Sequence, residues 1–280
     1  IDNSPIRRGE PALHEALRGD LEANVATDGT RAGRDLGLLA GDLLCSLGMR
    51  LLAGSAMEPG MAGRVHRIVS EVLLETGLGE ALDVLFETVP LGELTQEDVE
   101  EAYVRKTARY SVSGPLILGA TLAKADRGIM DALSLFGDRL GLGYQIQNDL
   151  DALSEPPDES EHPDLDAGKR TWVLWKAYQN ADQRKKEALD ELLRLPVSAE
   201  RRRALFDLIL NLGAIEAGEA RLEDLRRDAV SALRISPLSG AQRQAFLALP
   251  SLFSALPSME RPSGLDALSA TPAIPEKAAI

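Results

Sequence analysis

One cysteine, three histidines and 4% aromatic residues leave this 280-residue chain short of several kinds of chemistry. The single thiol, Cys45, excludes an internal disulfide framework and reads as a small buried apolar group. His14, His66 and His162 lack metal-ligand spacing, and no Ser-His-Asp or Cys-His arrangement offers a side-chain nucleophile. Basic residues are in deficit, 31 against 44 acidic ones, and the net charge of −13 opposes phosphodiester backbones. Nucleic acid is therefore not an expected partner. No apolar run reads as long enough to span a bilayer, and Ile1-Asp2-Asn3-Ser4-Pro5 carries neither a start methionine nor a signal pattern. The expectation is a cytoplasmic protein without a transmembrane segment, whose sequence begins partway along a longer polypeptide.

What is present is helical periodicity. Apolar residues recur at helical spacing and almost nowhere alternate with period two, which predicts an all-α fold. Leu36, Leu39, Leu43, Leu47 and Leu51 mark one helix. Val65, Ile68, Val69, Val72 and Leu73 open another that runs to about Glu87. Thr95 with Asp98 reads as a capping box that starts a helix through Arg109, and Ser113-Gly114-Pro115 predicts a kink or break. Helices follow over 128–153, 169–181, 183–195, 200–212, 214–233 and 240–256. Trp172 and Trp175 share a face and read as core or interface, and 155–166 as an acidic exposed loop. One helical domain over 1–257 is predicted, with 258–280 as a Pro- and Ala-rich tail.

A helical bundle has no fixed function, so function must come from polar residues that the bundle does not need. Four clusters qualify: Arg7-Arg8-Gly9, Lys106-Thr107, Gln145 with Asn148-Asp149, and Gly168-Lys169-Arg170-Thr171. They supply cations, oxygen ligands suited to magnesium, and small hydroxyls, the inventory for holding diphosphates. Each taken singly also has a plain reading as a solvated loop or an exposed helix position.

The order of these clusters resembles the trans-polyprenyl diphosphate synthase family, farnesyl and geranylgeranyl diphosphate synthases among them. Asp2 to His14 is similar to the segment closing the family's first aspartate-rich motif. Gly79-Glu80-Ala-Leu-Asp83 resembles its Gly-Gln-x-x-Asp helix, and Lys106-Thr107 through Ala120 its Lys-Thr helix. Phe136 through Ile146 leads into the second aspartate-rich motif, and 166–171 and 213–216 match later stretches. The resemblance implies an isoprenoid synthase-type bundle around a central cavity, a homodimer, and a magnesium-dependent reaction. An allylic diphosphate ionises and isopentenyl diphosphate attacks it, giving a longer trans-polyprenyl diphosphate. Carried over, Asp2, Asp83, Asn148 and Asp149 face the metal. Lys106, Thr107, Gln145 and Lys169 are the catalytic positions, and Arg7, Arg8, Lys106, Gln145 and Lys169 bind the diphosphates.

Two departures accompany the resemblance. The first aspartates of motif one are not in this sequence. In motif two, Asn148-Asp149-Leu150-Asp151-Ala152 stands where the family has Asp-Asp-x-x-Asp. Gln145, Asn148, Asp149 and Ala152 share one helical face, and Asp151 falls about 120° from the Gln145 direction. One charged ligand remains on that face. A class I terpene cyclase on the same scaffold and a non-catalytic regulatory subunit of a heteromeric synthase are the alternatives.

Overall fold

The computed structural model describes residues 5–7, 9–25, 29–154 and 162–249, with backbone alone at 7, 24 and 25. Its helices are α1 (Leu13–Val25), α2 (Thr30–Ala53), α3 (Pro59–Phe86), α4 (Gln96–Tyr103), a π-helix (Val104–Ser113), α5 (Gly114–Leu122) and α6 (Arg127–Asp151). They continue as α7 (Pro163–Ala167), α8 (Trp172–Asn180), α9 (Gln183–Arg194), α10 (Ala199–Asn211), α11 (Ala214–Arg234) and α12 (Gly240–Leu247). The all-α expectation holds. The exception is a two-residue antiparallel ladder, Ile6–Arg7 with Glu10–Pro11, turned at Gly9 with φ of 80°.

Local chemistry explains most boundaries. Thr95 Oγ1 accepts from the Asp98 amide, and the Asp98 carboxylate accepts from the Thr95 amide, so both orphan donors are satisfied as the sequence suggested. Ser239 forms a second capping box with Gln242 at α12, and the side chains of Asp126, Asp182 and Ser198 each accept one backbone N–H at the start of α6, α9 and α10. The kink expected at Gly114-Pro115 takes another form. The chain stays helical through it but winds as a π-helix upstream, with the Gly114 amide reaching back to the Arg109 carbonyl. Wider winding accommodates a proline ring that would otherwise clash with the preceding turn.

Helix α6 is the centre of the fold. It lies against α11 and the π-helix, and both apolar clusters draw on it: Leu142, Ile146 and Leu150 join the one around Trp172 and Trp175, and Phe136 and Leu140 the other. The two tryptophans are buried as expected, with ring centroids 6.0 Å apart.

Two expectations are corrected at α2. Its 24 residues have a mean hydropathy of 1.6 and are long and apolar enough, by length and composition, to cross a membrane. Reading the leucines as a stripe passed over the Gly and Ala residues between them, which leave the helix apolar nearly all round. Cys45 is exposed, and Gly41, one turn before it on α2, meets nothing within 4 Å. The 258–280 tail and residues 155–161 of the acidic loop lie outside the described residues.

Candidate active site

The site is built where α3, the π-helix and α6 touch backbone to backbone. A side chain at Gly79 of α3 would overlap the Lys106 amide, and one at Gly141 of α6 would overlap Ala108. Gly137 does the same against Ser113, with an added Cβ only 2.6 Å from its Cα. These bare glycines let two helices, α3 and α6, close on the π-helix with no intervening side chains. One turn beyond Gly79, Asp83 meets the Lys106 ammonium at 2.8 Å, both side chains being largely buried. One turn beyond Gly141, Gln145 Oε1 accepts from the Thr107 hydroxyl at 2.8 Å.

Asp149 closes the cluster. Gln145 Nε2 donates to its Oδ1 at 3.3 Å, while the Tyr103 hydroxyl donates to its Oδ2 at 2.6 Å. The Trp172 amide, first residue of α8, donates to that Oδ2 at 3.2 Å and to the Tyr103 oxygen at 2.9 Å. Burial pushes the Asp149 carboxyl up to about 7, and the Asp164 carboxylate adds to that. The Tyr103 hydrogen bond, Lys106 and Gln145 pull it down. Burial first, and then the Asp149 charge, holds the Tyr103 phenol well above its ordinary value.

The loop before α8 brings in Lys169. Gly168 has φ of 66°, which turns the chain sharply after α7, and the Lys169 amide bonds back to the Asp164 carbonyl. The Lys169 ammonium lies 3.4 Å from the Asp164 carboxylate and lines a small cavity with Asp149, Ala152, His162 and Thr171. Helix α7 is fixed from below by Arg202, whose Nε meets Asp166 Oδ1 at 2.6 Å, and by Arg201, which donates to the Asp166 carbonyl. His162 ties α7 to the end of α6: Nε2 bonds the Ala152 carbonyl at 2.9 Å and Nδ1 accepts from the Leu165 amide.

Of the positions singled out in the sequence, the fold brings Asp83, Lys106, Thr107, Gln145 and Asp149 into one bonded cluster, with Lys169 on the cavity that Asp149 lines. Asn148 is half-buried beside Asp149 on α6. Arg7 is described only by its backbone in the ladder, and Asp2 and Arg8 lie outside the described residues. Arg170 is occupied elsewhere, donating to the Glu87 and Val89 carbonyls beyond the end of α3. Tyr103 and Asp164 were not picked out. Tyr103 stands three residues before Lys106 in an otherwise charge-rich segment, Glu100-Glu101-Ala-Tyr103-Val-Arg105-Lys106, a spacing that could have flagged it.

Magnesium would need several oxygen ligands converging on one point. Among the described residues no group of three or more His, Cys, Asp or Glu side chains is so arranged. Asp83 is engaged by Lys106, Asp149 by three donors, and Ala152 offers nothing. The described side of the site, as it stands, does not fit the metal.

The family model for polyprenyl synthetase matches residues 1–209. The chain belongs to the polyprenyl synthetase family. It is 27% identical over 235 residues to the geranylgeranyl diphosphate synthase of Methanosarcina mazei, spanning 81% of this chain and 67% of that protein. To the geranylfarnesyl diphosphate synthase of Aeropyrum pernix it is 25% identical over 229 residues, spanning 79% of this chain and 65% of that one. The crystal structure of a Corynebacterium glutamicum geranylgeranyl pyrophosphate synthase, complexed with isoprenyl diphosphate and magnesium, superposes with a TM-score of 0.81. The identity there is 26%, over 92% of this chain and 73% of that one. This polyprenyl synthetase chain thus spans about two-thirds of the length of its first relatives, and its likeness to prenyl synthases does not favour the cyclase or non-catalytic alternatives.

Proposed function

We propose that this polyprenyl synthetase transfers the prenyl group of an allylic diphosphate to isopentenyl diphosphate, giving a product one five-carbon unit longer. The observation that carries the reading is the convergence of Lys106, Thr107, Gln145 and Asp83 from three helices, with Lys169 on the neighbouring cavity. Lys106 and Lys169 are the cations for the diphosphate, and Thr107 and Gln145 its neutral hydrogen-bonding partners. Lys106 exchanges Asp83 for the diphosphate when substrate arrives. In the reaction the C1–oxygen bond breaks with its electron pair leaving on pyrophosphate, the isopentenyl double bond forms the new carbon–carbon bond, and a proton is lost to restore an allylic alkene. Arg7 and Arg8 belong to the same reading as diphosphate ligands.

Magnesium, which when bound would neutralise the diphosphate charge, would in this reading be held by Asp2, which lies outside the described residues. A homodimer joined along α2 completes the proposal, because that helix leaves Leu38, Leu43 and Leu51 about 70% exposed.

The experiment is an elongation assay on the full-length protein with geranyl diphosphate, radiolabelled isopentenyl diphosphate and magnesium. Labelled products a multiple of five carbons longer are expected, and Lys106→Met should lower kcat/KM by about a hundredfold or more. Cyclic hydrocarbon from the allylic substrate alone, or no turnover unless a second synthase is added, would replace this reading with one of the alternatives.

A further inference from the structure

Tyr103 is the most completely buried large polar residue of the site, at 2% exposure, and it touches three site elements at once. Its hydroxyl donates to Asp149 on α6 and accepts the Trp172 amide, the first N–H of the helix that follows Lys169-Arg170-Thr171. Its ring lies under the Lys106 ammonium, 5.1 Å from the centroid. Trp172 carries the linkage further, its indole donating to Glu100 at 3.3 Å, and Glu100 in turn takes both arms of Arg221 from α11 at 2.8 and 2.7 Å.

Asp149 sees the other side of this arrangement. Three donors converge on its two oxygens and it is 4% exposed. A carboxylate that is to ligate a metal needs an unencumbered oxygen facing the metal and usually one hydrogen-bonded behind it. Here the helical neighbours that would have shared the metal are Asn148 and Ala152, so no second charge on that face draws a cation toward Asp149.

Resting on the prenyl-transfer reading above, we propose that Asp149 is a structural pivot rather than a metal ligand, and that Tyr103 is the positioning residue that holds it. Through this one hydroxyl the Lys106-Thr107 segment, Gln145 and the Lys169 loop keep a fixed mutual geometry for the diphosphate. Tyr103 touches no substrate. It acts through Lys106, Gln145 and the start of α8.

The test uses the full-length protein with Tyr103→Phe, Asp149→Asn and the double variant. The readouts are inorganic pyrophosphate binding by calorimetry, manganese binding by electron paramagnetic resonance, and steady-state kinetics. Tyr103→Phe is expected to weaken pyrophosphate binding by about tenfold and lower kcat by 10- to 100-fold, because outer partners of a site act on that scale. Asp149→Asn, whose side chain still accepts from Tyr103, is expected to leave manganese affinity within about twofold. A loss of manganese affinity well beyond about a hundredfold in Asp149→Asn overturns the inference, since outer partners of a metal site cost no more than about that and a larger loss marks a ligand. If Tyr103→Phe does not fold, the double variant, which no longer buries an unpaired charge, takes its place. A folded double variant with wild-type pyrophosphate affinity and kcat reduces the network to core structure and also overturns it. A wild-type protein that binds no pyrophosphate overturns the prenyl-transfer reading together with this one. Normal wild-type binding that Tyr103→Phe leaves unchanged overturns this inference alone.

Discussion

Helices α2 and α6 are nearly equal in length, 24 and 25 residues, and both are rich in leucine and glycine, yet α6 buries ten residues and α2 only Gly33. The difference lies in what each helix has to press against. Helix α6 sits between α11 and the π-helix, with Gly137 and Gly141 as close-approach points, whereas α2 rests mainly on α1, which Gly33 meets closely, and presents Gly41 and Gly48 to open space. An apolar helix face states that something must cover it. It does not state what, and in α2 the covering surface is not within the described part of the chain.

The sharpest way to break this comparison is to make the same substitution in both helices. Gly141→Ala should destabilise the fold by about 2–4 kcal/mol, because the new methyl group meets the Ala108 backbone with no flexible atoms to give way. Gly41→Ala should stabilise it by about 0.5–1 kcal/mol, since nothing lies within 4 Å and alanine restricts the unfolded chain. Urea unfolding in dilute solution reads both. Shifts of the same sign would mean that the two helices are not in different environments.

A smaller effect separates the buried face of α6 by pH. The Asp149 carboxyl is raised from the ordinary 3.8 to about 7, so between those values the folded state holds a proton that the unfolded state has released. Its contribution to stability is therefore greatest at low pH and declines as pH rises from about 4 to about 7. Asp149→Asn removes this dependence. The stability difference between the two proteins should change across that window and stay level on either side of it, and a level difference throughout would refute the buried-charge description.

The smallest expected effect is on the stability of α2. Leu43→Glu together with Leu51→Glu should change unfolding free energy by no more than about 0.5 kcal/mol, as is usual for exposed positions. The same pair should halve the sedimenting mass if α2 is the dimer face, and should speed modification of the exposed Cys45 by a thiol reagent. Unfolding of the doubly substituted chain would show that these leucines are packed within the protomer.

Much of the fold was legible because it is local. The capping box at Thr95 and the burial of Trp172 and Trp175 follow from neighbours within one or two turns. The site was legible as residue types in order, which is how Lys106, Thr107, Gln145 and Lys169 were found. It was not legible as a set of bonds. Arg170 shares the Gly-Lys-Arg-Thr cluster with Lys169, yet it reaches across the fold to carbonyls beyond α3, while its neighbour faces the cavity. Cys45 read as buried because small apolar side chains usually are, and nothing nearby in sequence says which side of α2 is open.

The sequence by itself determined that this chain would be helical, where most of its helices start, and that cations, carboxylates and amides suited to diphosphates recur along it in the order of the family. Helical geometry fixes those things within a few residues, so they need no information from afar. Only the tertiary structure decided which of those groups meet. The Tyr103–Asp149 bond spans 46 positions, and Lys106 meets Asp83 only because glycines let separate helices touch. Contacts of that kind depend on how whole surfaces pack. That is also why the three hydrogen bonds that the buried Asp149 carboxylate accepts could not be read from its motif.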